Sequence, residues 1–183
     1  LATDAVKVSV EKIEEGCALS HAEITAQIKH RAFSVSQNRE WTSLFDLLVY
    51  VFLRKRRVLC CFGAQVVDLV KVFAPWLEDC IDNTIAPARF LGCVDFGGQL
   101  RVAKHVNGLL PTMNHWVIGV PVHGLCIEVD AEGVSPEPPP TSSDACVAAG
   151  KVGWHVKETE ATGNCGIDAM AYFDGQVRNE DSW

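Results

Sequence analysis

Cys165 lies in the run Thr-Gly-Asn-Cys-Gly-Ile-Asp-Ala-Met-Ala-Tyr-Phe, residues 162–173. A thiol attacks carbon efficiently only as thiolate, and a helix N-terminus favours thiolate through its free N–H groups and partial positive charge. The apolar run after Cys165 predicts such a helix, from Gly166 to about Phe173, stopped by Gly175. Gly163 and Gly166 carry no side chains, so a substrate backbone could come close, with Asn164 completing the turn. The N–H of Cys165 could then face the oxyanion formed when a carbonyl is attacked.

A thiol nucleophile needs a base. The histidines are residues 21, 30, 105, 115, 123 and 155. His115 is the strongest candidate, because Met113-Asn114-His115-Trp116 opens an apolar run in which a strand would hold the imidazole and Trp116 would pack beside it. His155 falls on a further strand and His123 in a turn. The base in turn needs a carboxylate to fix its tautomer. Residues 116–130 read as a hairpin, WVIGVPV and LCIEVDA around His123-Gly124, which returns Asp130 to the level of His115; Glu128 shares its strand face.

The elements that must position these groups follow from local signals. Ser20 and Glu23 form a capping box before a helix to about Phe33, and Thr42 or Ser43 opens a second helix over 44–55. Residues 58–62 (VLCCF) predict a short buried strand. Residues 64–81 predict a helix broken at Pro75. Residues 131–150, rich in Pro, Ser and Gly, predict a loop, and 151–157 a third strand. The expected organisation is an N-terminal helical or mixed segment over 1–70, within the same domain or beside it, and a core over 71–183.

Composition narrows the function classes. The 183 residues are 48% hydrophobic, which predicts a globular chain. A net charge of −7 argues against nucleic acid as the main partner. The longest apolar stretch, residues 44–53, is too short to span a bilayer, and the Arg54-Lys55-Arg56-Arg57 run after it reads as a solvated helix end. Eight cysteines scattered through mostly apolar runs, with no C-x-x-C, predict free thiols in an intracellular protein, cytoplasmic or nuclear, and neither a zinc site nor another cofactor. Leu1 in place of methionine predicts a fragment or a processed chain.

The order His-Trp, hairpin, Asp, strand, Gly-Asn-Cys-Gly, helix resembles the ubiquitin-like protein protease family, the SUMO/sentrin proteases and their adenoviral relatives. The stretch 110–118 is similar to that family's strand entering the site, CGIDAMAYFD to its helix, and Pro75-Trp76-Leu77-Glu78-Asp79 to its W-L-x-D segment. The resemblance covers residues 75–175. It implies an α+β, papain-like fold with a small mixed or antiparallel sheet packed against helices. It also implies a thiol protease or isopeptidase cleaving ubiquitin or a SUMO-like modifier at a Gly-Gly tail. Cys165, His115 and Asp130 would be catalytic, and Trp76, Asp79, Trp116 and Gly166 would line the substrate channel. The family's oxyanion Gln is replaced by Thr159, which leaves Gln99, in a Gly-Gly-Gln stretch, as a substitute donor. G-N-C-G and H-W also resemble the ovarian-tumour deubiquitinases, in circularly permuted order. A catalytically decayed module that binds a ubiquitin-like protein is the third expectation.

Overall fold

Helix α1 (His21–Gln37) begins where its capping box requires: the Ser20 N–H donates to Glu23 Oε2 at 2.7 Å and the Glu23 N–H to Ser20 Oγ at 3.3 Å. Helix α2 (Leu44–Arg54) starts on Ser43, whose N–H donates to Asp46 Oδ2 at 2.6 Å. Arg31 grips the same carboxylate through Nε at 2.9 Å and a terminal nitrogen at 2.7 Å, which ties α1 to the start of α2. Strand β1 (Val58–Phe62) follows, and β2 (Gln65–Asp68) turns back antiparallel to it. The computed structural model describes residues 7–9, 11–13, 15, 17–37, 42–62, 65–96, 99–102, 114–125, 129–135, 144–159 and 164–175.

The single helix expected over 64–81 is three elements: β2, the one-turn helix α3 (Leu69–Phe73) and a 3-10 helix (Pro75–Cys80). Asp68 divides them, because its buried carboxylate accepts the N–H groups of Val70 and Lys71 and caps α3. Strand β3 (Ala88–Phe96) then runs parallel to β1, and β4 (Gln99–Val102) pairs antiparallel with its end. Strand β5 (His115–Pro121) pairs antiparallel with β3, and β6 (Trp154–Lys157) with β5. The mixed sheet has the order β2-β1-β3-β5-β6, with β4 on β3.

Two expectations fail here. Part of the predicted loop is helix α4 (Ala145–Lys151), capped by the Asp144 carboxylate on the Val147 N–H at 3.0 Å. The hairpin does not form: both edges of β5 are taken, by β3 and β6, and residues 129–135 instead lie along β2, where Ser135 donates to the Val66 carbonyl at 2.8 Å.

Alternation along the strands splits the core in two. Val58, Cys60, Phe90, Trp116 and Ile118 face α1, α2, α3 and the last helix, α5 (Cys165–Phe173). Cys61, Leu91, Cys93, Val117 and Trp154 face α4. The first cluster runs from Ile13 to Ala169, so residues before 70 and the Cys165 helix share one core. The fold is mixed α/β, with helices on both faces of a mixed sheet. None of the described helices is long and apolar enough to cross a membrane.

The basic run is more than a solvated helix end. Arg57 binds Asp68 at 2.6 Å and pairs with Glu78; Arg54 binds Asp174 at 2.7 Å; and Arg56 donates to the Phe173 carbonyl. The Arg54 and Arg56 contacts, together with the Tyr50 hydroxyl, which donates to Asp174 at 2.8 Å, hold the C-terminal end of α5 against the end of α2. Burial first, and then the Asp174 carboxylate, push the Tyr50 hydroxyl up to about 12, so it stays a neutral donor.

Candidate active site

Cys165 is the first residue of α5 and is only 1% exposed. Its sulfur accepts the backbone N–H of Trp116 at 3.4 Å. The register explains why that N–H is available. Ile118 pairs with Lys157, so Trp116 faces position 159, beyond the end of β6. There the ladder stops, and two other groups take the main chain of Trp116: the Cys165 sulfur on its N–H, and the Thr159 hydroxyl, which donates to its carbonyl at 2.6 Å. The N–H groups of Gly166 and of Cys165 itself also favour a negative sulfur. Burial outweighs these donors and pushes the thiol up from its ordinary value, with the Asp168 charge adding to the rise.

His115 precedes Trp116, and this places its Cα within about 6 Å of the sulfur. The imidazole is buried, and by alternation it leaves β5 on the α4 face, opposite Trp116. Burial lowers its pKa, while the charges of Asp95 and Glu158 pull the other way. A lowered imidazole and a raised thiol make a neutral pair at rest. Proton transfer would therefore accompany attack by the sulfur, with imidazole as general base.

These shifts fix the sign of a stability profile. As pH falls through 6.5, the ordinary value for histidine, the unfolded chain binds a proton on residue 115 before the folded chain does, so stability falls. As pH rises past 9.0, the ordinary value for cysteine, the unfolded thiols of residues 60 and 165 ionise first, so stability falls again. Urea midpoints should peak between these limits, and His115→Gln should flatten the acid side.

The structure brings together Cys165, Gly166, Trp116 and Thr159, with His115 one residue from contact, and separates the other candidates. Asp130 lies at the β2 edge, where its carboxylate accepts the Val134 N–H at 2.9 Å and its carbonyl accepts Lys71 Nζ at 3.0 Å. Three sheet spacings, about 14 Å, separate β2 from β5, so Asp130 cannot orient His115. Its predicted place depended on the hairpin that does not form. Trp76 donates to the Leu19 carbonyl at 2.7 Å and packs on His21 and Phe52, near the end of α2. Trp116 instead donates through Nε1 to the Thr42 carbonyl at 2.8 Å, just before α2 starts. The 11 residues of α2 span about 16 Å, so Trp76, with Asp79 on its 3-10 turn, does not face Trp116 across a channel. Trp116 is a core residue at 1% exposure. Gln99 is exposed and pairs with Phe96, roughly 10 Å along β3 from the level of His115, too far to hold an oxyanion at the sulfur. Thr159 is close, but its proton is already given to the Trp116 carbonyl. Asn164 is exposed immediately before the sulfur. Gly163 and Glu128 lie outside the described residues, as does the loop before Cys165 from which a permuted ovarian-tumour-type enzyme would draw its acid.

Gly166 has a different role from the one expected. A Cβ there would overlap the Thr42 methyl, so the missing side chain admits Thr42 rather than a substrate. Gly166→Ala should cost about 1–3 kcal/mol by overpacking. Pairing it with Thr42→Gly should recover most of the loss in urea denaturation, because the Trp116 bond to residue 42 uses a backbone carbonyl. Sequence reasoning missed Thr42, Asp95 and Asn114. The alternating, largely apolar run RFLGCVDF, residues 89–96, was the available signal for the strand that carries Asp95.

No protein-family model matches this chain, and no curated protein and no solved structure matches it.

Proposed function

We propose that this chain is a papain-like thiol hydrolase with Cys165 as nucleophile and His115 as base. One observation supports the reading above the rest: the sulfur at the N-terminus of α5 is bonded to the residue that follows His115. In the proposed reaction the imidazole takes the thiol proton as sulfur attacks the scissile carbonyl carbon. The tetrahedral intermediate collapses to a thioester, and the imidazolium gives its proton to the leaving amine. Water activated by the same imidazole then releases the acid and restores the thiol. Backbone N–H groups at the start of α5 offer donors to the oxyanion. The resemblance to ubiquitin-like protein proteases supports a modifier ending in Gly-Gly as substrate, because a tail without side chains needs least room to reach a recessed sulfur.

The near-complete burial of that sulfur favours a second reading, a module that binds a ubiquitin-like protein without cutting it. Ubiquitin and SUMO-type modifiers carrying a C-terminal alkyne separate the two. A hydrolase forms a covalent adduct at Cys165. A binding module retains the modifier and forms none.

A further inference from the structure

We infer that Asp95 is the carboxylate that orients the imidazole of His115, a positioning residue supplied by β3 rather than by the chain that follows β5. This rests on the reading of His115 as the base. The register carries the argument. Cys93 pairs with His115, so Asp95, two residues on, shares the sheet face of His115 at the diagonal position, with Cα atoms about 7–8 Å apart. At that separation an imidazole and a carboxylate on one face can meet.

Asn114 fixes the spacing. Its Oδ1 accepts the Asp95 N–H at 2.8 Å and its Nδ2 donates to the Asp95 carbonyl at 3.4 Å. The residue before His115 thus clamps the main chain of Asp95 from both sides. The Asn114 N–H also donates to the Cys93 carbonyl at 3.2 Å, so the pairing holds where β5 begins. This clamp acts on the backbone of Asp95.

Other titratable groups approach the imidazole. Cys93 lies directly across, and burial keeps its thiol protonated. Cys165 at the start of α5 and the exposed Cys146 on α4 both act on the Cys93 thiol. By the β5–β6 register Glu158 stands opposite Val117, so it too is diagonal to His115, but it is exposed. Arg101 on β4 pairs with Val94 and so falls on the other face. Asp95 is partly buried, where water screens its charge less, and of the two acids it acts more strongly on His115. Burial keeps the ring neutral at rest; Asp95 stabilises it once the sulfur's proton arrives, accepting from Nδ1–H so that Nε2 is the atom that takes the proton.

The test is a titration of labelled histidine rings by NMR in the intact chain, with the His115 signal assigned from His115→Gln. Asp95→Asn keeps the backbone clamp. It should move the His115 midpoint to lower pH and redistribute its tautomers, Glu158→Gln should move it less, and Asp95→Glu should restore much of the wild-type midpoint. Labelling by the modifier probe should slow roughly 10²- to 10⁴-fold in Asp95→Asn. An unchanged His115 titration in Asp95→Asn, or a larger displacement in Glu158→Gln, overturns the assignment. A chain that never labels, yet shows the Asp95-dependent titration, retains the pair and loses the hydrolase reading.

Discussion

Cys165→Ala is expected to abolish covalent capture of a modifier probe and to lower hydrolysis by at least ~10³-fold, with the fold intact. The fold should survive because the substitution removes one sulfur and one long N–H···S contact of 3.4 Å, at a cost of about 1 kcal/mol. The rest of the α5 anchorage, Gly166 against Thr42 and Asp174 against Tyr50 and Arg54, is untouched. The pH dependence separates base catalysis from simple thiol reactivity. Burial lowers the His115 pKa from its ordinary value of 6.5, so the acid limb of wild-type labelling should fall below that value. In His115→Ala the rate should fall about 10²- to 10⁴-fold and climb steadily with pH past 9, as the raised thiol ionises without help. Cys17, Cys80 and Cys146 are exposed and compete for any electrophile, so the adduct must be mapped to its residue by mass spectrometry. Adducts only on cysteines other than Cys165, or labelling that survives Cys165→Ala, would remove Cys165 as the nucleophile.

The parts of this fold that were legible in the sequence are the ones set by neighbours in the chain. The Ser20–Glu23 capping box and the helix opening at Cys165 depend on residues a few positions apart, and both form. Strand pairing depends on distant residues. WVIGVPVHGLCIEVD has every local mark of a hairpin, yet β5 pairs with residues 22 to 28 positions upstream and 33 to 39 positions downstream. The misplacement of Asp130 follows from that single error. The apolar run at 64–73 hid a strand-to-helix change because both halves are buried, and the mark of the change was one Asp capping α3. Arg57 read as surface charge because Asp68 and Glu78, its partners 11 and 21 residues away, are brought to it only by the turn of the chain.

Trp116→Ala should be among the most destabilising single changes, at about 3–5 kcal/mol. That is a large share of a typical domain's margin of about 5–15 kcal/mol. A channel wall could be truncated with little loss of stability and a broader substrate range. Trp116 is instead enclosed: its ring meets Phe62 edge-on with centroids 6.2 Å apart and Phe90 nearly perpendicular at the same distance, and its Nε1–H satisfies the Thr42 carbonyl. Alanine leaves a cavity between sheet and helix and a carbonyl without its donor. Trp116→Phe keeps most of the packing and loses the donor, so it should cost about 1–3 kcal/mol. Trp76, partly exposed, should tolerate alanine better than Trp116 does. Thermal and urea unfolding of the three variants checks this order. The consequence for the site is direct, because the main chain of Trp116 holds the Cys165 sulfur and the Thr159 hydroxyl at the end of β6. Loosening the indole should therefore slow probe labelling in Trp116→Ala even at temperatures where the variant stays folded, while Trp116→Phe labels near the wild-type rate. Equal labelling in all three would show that the core beneath the sulfur does not set its reactivity.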